Sequence, residues 1–223
     1  MKNLVFVLGF TLTFCTGHAQ LNPEDKLGIS YEFGTTHKIS ENFSISTYSL
    51  LWLYEVNDNF NFILLNAGLN YQITPHASGS ISYGYSDYDG TIDISSPHTL
   101  ENRISEHIVY KHHLIKVPLE HRFKVEHRFL RTPTSKQTVT RFRYRIATQL
   151  KLSHALFIYL KNEWLLSPNL SNTPENRFNG GLGIHWNKSS TVLLGYFNRN
   201  TMNRMNLHRL QVGLFIKTDW RKK

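Results

Sequence analysis

Charged and apolar side chains alternate through residues 119–145, and this stretch carries most of the chain's capacity for polar chemistry. The first run reads LEHRFKVEHRF and the second VTRFRYRI, with the turn-rich segment LRTPTSKQT between them. Because side chains of a β-strand point to opposite faces at period two, the stretch is predicted to form a hairpin with one apolar and one charged face.

The same parity extends the charged face to other runs of the chain. The predicted lumen-facing charged network consists of Glu101, Arg103, Glu120, Arg122, Glu126, Arg128, Arg141, Arg143, Arg145, Glu163 and Arg177. Glutamates and arginines on neighbouring strands can pair and so fill the interior of a narrow barrel. Alternatively, they form a cationic lumen for small anionic solutes, because Arg141, Arg143 and Arg145 have no acid between them.

Other reactive residue types form no convincing site. Ser105 and His107 share the face of Glu101 and Arg103, and a serine–histidine pair could act as nucleophile and base. Alternating polar residues on any strand produce such sets by chance, so we predict no catalytic residues. None of the 12 histidines has a metal-binding spacing such as His-Glu-x-x-His, so no metal or cofactor is predicted. No motif for binding nucleic acid is present.

These residues must be positioned by strands, because no helical periodicity competes with the alternation. Eleven runs alternate in this way: 27–34, 43–56, 63–73, 80–86, 100–111, 119–129, 139–146, 156–164, 177–186, 192–196 and 209–220. Short links follow the odd-numbered runs, and longer polar segments at 87–99, 167–175 and 198–206 follow even-numbered ones. This alternation of link lengths is typical of outer-membrane barrels.

The predicted fold class is therefore all-β, an antiparallel up-and-down transmembrane β-barrel of about 10–12 strands. We favour 12, because single-chain bacterial barrels are normally even-numbered, with the extra strand formed by residues 20–26. A bulge near Thr47 would explain why the apolar parity changes between Ile45 and Tyr48. The aromatic residues expected to form girdles near strand ends are Tyr31, Trp52, Tyr54, Tyr71, Tyr85, Tyr110, Trp164, Trp186 and Trp220.

The first 20 residues, MKNLVFVLGFTLTFCTGHAQ, read as an export signal. Lys2 precedes a short apolar core, and Gly17-His18-Ala19 is an acceptable cleavage site. The predicted domains are a signal peptide at 1–19 and a single outer-membrane barrel at 20–223, which places the protein in the outer membrane of a Gram-negative bacterium after cleavage near Ala19-Gln20. Cys15 is the only cysteine and lies in the signal, which excludes a disulfide scaffold.

The segments Glu101–Ile104, His121–Phe129 and Arg141–Arg145 resemble the domain of unknown function 2490 family of exported Gram-negative proteins. Asn162-Glu163, 176–183 and Gly195-Tyr196 are similar to its later motifs. The resemblance extends over residues 27–220. It implies an outer-membrane barrel, and it brings no known activity or catalytic residue.

The predicted function is a structural or interaction barrel, or a narrow porin-like channel with an Arg/Glu-rich lumen. The full chain has a formal net charge of +9, and one of its positive residues, Lys2, lies in the predicted signal peptide. The expected partners are outer-membrane lipid and lipopolysaccharide, the barrel-insertion machinery and small anionic solutes. The alternatives are an outer-membrane lipid-modifying enzyme and a soluble lipocalin-like periplasmic binding protein.

Overall fold

The chain forms one closed β-barrel in a computed structural model that describes residues 22–92, 96–202 and 204–221, without the side chains of 171–173. Its eleven strands are β1 (Leu27–Lys38), β2 (Phe43–Glu55), β3 (Asp58–Thr74), β4 (Ala77–Tyr88), β5 (Thr99–Leu114), β6 (Val117–Arg131), β7 (Lys136–Lys151), β8 (Leu156–Ser167), β9 (Ser171–His185), β10 (Ser190–Thr201) and β11 (Met205–Asp219). All eleven predicted runs are confirmed. The described residues include no helix that is long and apolar enough to cross a membrane.

The barrel closes through a parallel pair of strands. Consecutive strands pair antiparallel, whereas β1 pairs with β11 in parallel from Leu27 opposite His208 to Lys38 opposite Asp219. The preference for 12 strands is therefore wrong, because one parallel pair closes an odd-numbered sheet. The extra strand expected at 20–26 is also wrong for the described residues 22–26, where Pro23–Asp25 forms a 3₁₀ turn. Gln20, Leu21 and the predicted signal peptide lie outside the described residues.

The connections define two ends of the barrel. Those after β1, β3, β5, β7 and β9 lie at what we call the odd-turn end, and those after β2, β4, β6, β8 and β10 at the even-turn end. Only the β4–β5 connection, residues 89–98, is long. The polar loops predicted at 167–175 and 198–206 are largely strand, because ladder hydrogen bonds join backbone groups and do not require apolar side chains.

Strand β2 turns three large apolar or aromatic side chains inward near its end, whereas Phe43 and Ile45 are exposed on the outside. Its pairing with β1 and β3 runs without a break past Thr47, and the register shift lies between Trp52 and Leu53. The bulge predicted near Thr47 is therefore wrong. Leu50, Trp52 and Tyr54 are buried in the interior, so the two aromatic residues among them do not belong to an outer girdle.

Burial in this barrel is inverted relative to a soluble domain. Every strand exposes large apolar side chains on the outside, for example Phe33, Ile108, Phe123 and Leu182. The fully buried side chains include Arg209, Gln211 and Glu126. Charged residues are almost never fully buried in soluble proteins unless they are paired. The interior therefore contains charged side chains beside the apolar ones of β2, and the outer surface of the wall is apolar.

Candidate functional site

A cavity of about 800 Å³ occupies the interior of the barrel. It is lined by residues near both ends, with Ser135 and Arg204 at the even-turn end and Thr36 and Lys217 near the odd-turn end. The volume falls in the range of small-molecule sites, about 300–1,000 Å³. The cavity therefore reaches from one rim towards the other.

The structure places the eleven residues of the predicted charged network on the inner face. Nine of them line the cavity: Glu101, Arg103, Arg122, Arg128, Arg141, Arg143, Arg145, Glu163 and Arg177. The other two, Glu120 and Glu126, lie in the wall beneath these cations and pair with them. The β6–β7 register brings the hairpin residues together, because it sets Glu126 opposite Arg141 and Arg122 opposite Arg145.

Glu126 is the centre of the network and is completely buried. Its carboxylate accepts hydrogen bonds from Arg141 Nε at 2.5 Å and from Arg143 Nη1 at 2.8 Å. Lys124 Nζ lies 3.2 Å and Arg103 Nη1 3.4 Å from Glu126 Oε1. One carboxylate thus pairs with four cations.

Three further carboxylates extend the network. Glu101 pairs with Arg103 Nε at 2.6 Å and with Arg128 Nη2 at 2.7 Å. Glu163 accepts from Arg122 Nη2 at 2.6 Å and from Arg143. Glu120 pairs with Arg145. Each of the three arginines of β7 therefore has a carboxylate partner.

The interior also contains charged residues that were absent from the predicted network. They are Glu32, Lys124, Lys161, Glu175, Arg199 and Arg209. The parity of Lys124 and Lys161 in their strands could have found those two. Glu175 and Arg199 were missed because segments 167–175 and 198–206 were assigned to loops.

Charges between the two rims are unbalanced among the described residues. The bases are Arg103, Arg122, Lys124, Arg128, Arg141, Arg143, Arg145, Lys161, Arg177, Arg199 and Arg209; the acids are Glu32, Glu101, Glu120, Glu126, Glu163 and Glu175. Eleven bases against six acids leave an excess of five positive charges.

An aromatic cluster forms the wall opposite part of the charged network. The Trp52 ring packs against Phe62 and Phe197 with centroid distances of 5.0 and 5.1 Å. The guanidinium carbons of Arg177 and Arg209 each lie 5.0 Å from its centroid, at a distance suited to cation–π attraction. One side of the lumen thus combines aromatic rings with arginines, and the other side carries the charged network.

The geometry at Ser105 and His107 does not resemble a nucleophile and its base. Within the described part of the chain, neither Ser105 Oγ nor His107 Nδ1 has a hydrogen-bond partner. The described residues also contain no group of three or more potential metal ligands. The fixed charges of the interior provide groups that can bind ions.

Comparison with known families supports the resemblance seen in the central motifs. The family model described as protein of unknown function (DUF2490) matches residues 28–210, from the start of β1 into β11. Comparisons with curated proteins and with solved structures find no match.

Proposed function

The chain belongs to the DUF2490 family, whose function is unknown, and from the geometry of its barrel we propose that it is an outer-membrane protein with a narrow, anion-selective lumen. The observation that carries this proposal is the inverted burial, with charged side chains inside the barrel and apolar ones outside. A closed barrel satisfies its backbone hydrogen bonds internally, which a lipid environment requires.

The outer surface supports the membrane part of the proposal. Exposed apolar side chains occur on all eleven strands, and a soluble monomer rarely exposes such an extended apolar surface. Tyr31, Tyr71, Tyr85, Tyr110 and the three tryptophans outside the lumen are at least partly exposed, as expected for side chains at a lipid–water boundary. In the same proposal, lipid and lipopolysaccharide contact this surface, and the barrel-insertion machinery recognises Trp220, which follows β11.

The charge imbalance supports selectivity for anions. Fixed charges of one sign in a narrow space with low-dielectric walls raise the local concentration of the opposite ion. An excess of five positive charges lies between the two rims, around a cavity that reaches towards both of them. A small anion is therefore the solute that the lumen should favour.

The first experiment asks whether the protein is a membrane barrel. A washed outer-membrane fraction from cells that express the full chain is run on a gel with and without boiling. We expect the protein in this fraction, with a mobility that changes on heating. Recovery in the periplasmic supernatant would favour the lipocalin-like alternative and overturn the proposal.

The second experiment measures selectivity in planar bilayers under a KCl gradient. We expect a reversal potential that indicates anion preference and a smaller preference in Lys161→Gln, whose ammonium has no carboxylate within ion-pair distance among the described residues. Lys188→Gln, at an exposed turn, serves as the matched control. Cation preference in the unmodified protein would contradict the proposal.

A purely structural barrel is the second candidate, and a specific observation favours it. Arg141, Arg143 and Arg145 each pair with a carboxylate, and such a ladder can plug a lumen. The absence of any single-channel conductance from correctly folded protein would favour this candidate.

The alternative of a lipid-modifying enzyme is tested separately, by comparing the lipid A profiles of cells with and without the protein.

A further inference from the structure

Two successive cross-strand pairs on the lumenal face of β6 and β7 join like charges. Arg122 lies opposite Arg145, and Lys124 lies opposite Arg143. All four side chains line the cavity. Like charges directly opposite one another on a sheet are destabilising, so this arrangement needs a compensating negative charge.

The carboxylates around these pairs compensate only part of the positive charge. Glu163 is shared by Arg122 and Arg143, and Glu120 is shared by Arg145 and Lys111. The carboxylate that reaches Lys124 is Glu126, which also pairs with three arginines.

Lys161 adds a further cation to the same wall. It lies on β8 opposite Ala147 and therefore next to the strand that carries Arg145. Its ammonium lies 5.5 Å from the centroid of the Tyr159 ring, and no described carboxylate is within the 4.0 Å of an ion pair. Glu32, across the lumen on β1, already accepts a hydrogen bond from Gln211.

Polar atoms without a partner are concentrated at this place. Within the described residues, the buried Nε atoms of Arg122, Arg143 and Arg145 have no acceptor. The buried Nδ1 atom of His107 is also unpartnered, and His107 lies opposite Lys124 on β5. Buried groups of this kind normally have a hydrogen-bond partner, and the three Nε–H groups can donate to an anion in the lumen.

We propose that Arg122, Lys124, Arg145 and Lys161, here called the lumenal cation cluster, bind a doubly charged oxyanion of the phosphate class. The proposal rests on the proposed function, because the anion must enter the lumen. Guanidinium groups match tetrahedral oxyanions through paired N–H donors, and the lysines add charge without directional demands. A divalent anion would offset the two like-charge pairs more effectively than chloride.

The test uses the full-length barrel purified in detergent and titrated calorimetrically with inorganic phosphate at constant ionic strength. We expect saturable binding of phosphate, and sulfate competing for the same site. Lys161→Gln should weaken the affinity by about tenfold, because one charge-assisted contact is lost while no ion pair of the wall is broken. Lys161→Arg should retain binding, and Lys188→Gln should leave it unchanged.

A second variant tests whether Lys161 contacts the anion or only adds to the positive electrostatic potential of the lumen. Arg145→Gln should also weaken phosphate binding, and heat-modifiable mobility reports whether the variant is folded. Equal binding in the unmodified protein, Lys161→Gln and Arg145→Gln would overturn the site. Weakening of the same size in Lys188→Gln would also overturn it, since the interaction would then be unspecific.

The proposed phosphate site and the proposed anion-selective lumen can be contradicted by different results. Chloride-selective conductance without saturable phosphate binding would overturn the site and leave the anion-selective lumen intact. Phosphate binding by a barrel that conducts no ions would support the site and overturn the passage of solutes.

Discussion

The Glu126 carboxylate pairs with four cations in the wall of the barrel, and Glu126→Gln removes this charge while keeping the shape of the side chain. Breaking a buried ion pair by removing one partner costs about 3–5 kcal/mol. We expect a lower free energy of unfolding by about that amount, measured by urea unfolding of the barrel in lipid vesicles with tryptophan fluorescence as the signal.

The matched control for this variant is Glu41→Gln. Glu41 also pairs with an arginine, Arg221, but its side chain is 84% exposed. Exposed ion pairs contribute about 0–1 kcal/mol, so the unfolding midpoint should hardly move. Equal destabilisation by the two substitutions would show that Glu126 is not the centre of the network.

The sequence indicated which residues belong to this network, but it did not indicate which carboxylate pairs with which arginine. Parity alone placed Glu101, Glu126 and Arg143 on one face. The carboxylate that each arginine reaches depends on the register between strands and on the conformation of long side chains, which parity does not encode. For this reason the sequence suggested that the three arginines of β7 lack carboxylate partners. It did not indicate that Lys161 is the cation without an ion-pair partner among the described residues.

At the scale of elements, the parallel pairing of β1 with β11 predicts which outward-facing residues of the two strands lie close together. Phe33 lies directly opposite Leu214, and both side chains are on the outside. We expect Phe33→Cys with Leu214→Cys to be joined by a short thiol-specific cross-linker. Phe33→Cys with Ile184→Cys is the control, because Ile184 lies on β9, three strands away from β1. Failure of the first pair to react in a folded barrel would exclude the eleven-stranded closure.

Glycines allow β9 and β10 to approach each other beside the lumen. Gly181 lies opposite Gly195, and a Cβ atom on Gly181 would lie 2.2 Å from the backbone oxygen of Leu194. We expect Gly181→Ala to destabilise the barrel by about 1–3 kcal/mol in urea unfolding, because the backbones must separate. Gly79→Ala, whose Cβ would meet only Ile73 Cδ1 at 3.6 Å, should be tolerated. Similar midpoints for the two variants would contradict this packing.

The strands themselves were predictable because alternation is a local signal. Their number and closure were not, because no local pattern distinguishes an antiparallel seam from the parallel pairing of β1 with β11. The inward side of β2 was misread for a related reason. A lumen wall can be apolar, as at Leu50 and Trp52, and alternation alone then does not indicate which face is inside.

At the scale of the whole molecule, both ends of the barrel carry charges of either sign. Turns at the odd-turn end carry Lys116, Lys188 and Glu41, whereas Asp89 and Arg204 lie at the even-turn end. Partial burial of Asp89 acts to raise its pKa, but hydrogen bonds from Thr91 and Ser96 outweigh burial and lower the pKa below its ordinary value. The long connection is therefore held by a carboxylate that stays ionised at neutral pH.

The length of this connection predicts the orientation of the barrel in the proposed membrane. Outer-membrane barrels place their longer loops outside the cell and their short turns in the periplasm. A protease recognition sequence inserted after the exposed Pro97, at the even-turn end, should therefore be cut when protease is added to intact cells. The same sequence inserted after the exposed Lys188, at the odd-turn end, should be cut only after the outer membrane is permeabilised. Cleavage after Lys188 but not after Pro97 in intact cells would show the opposite orientation.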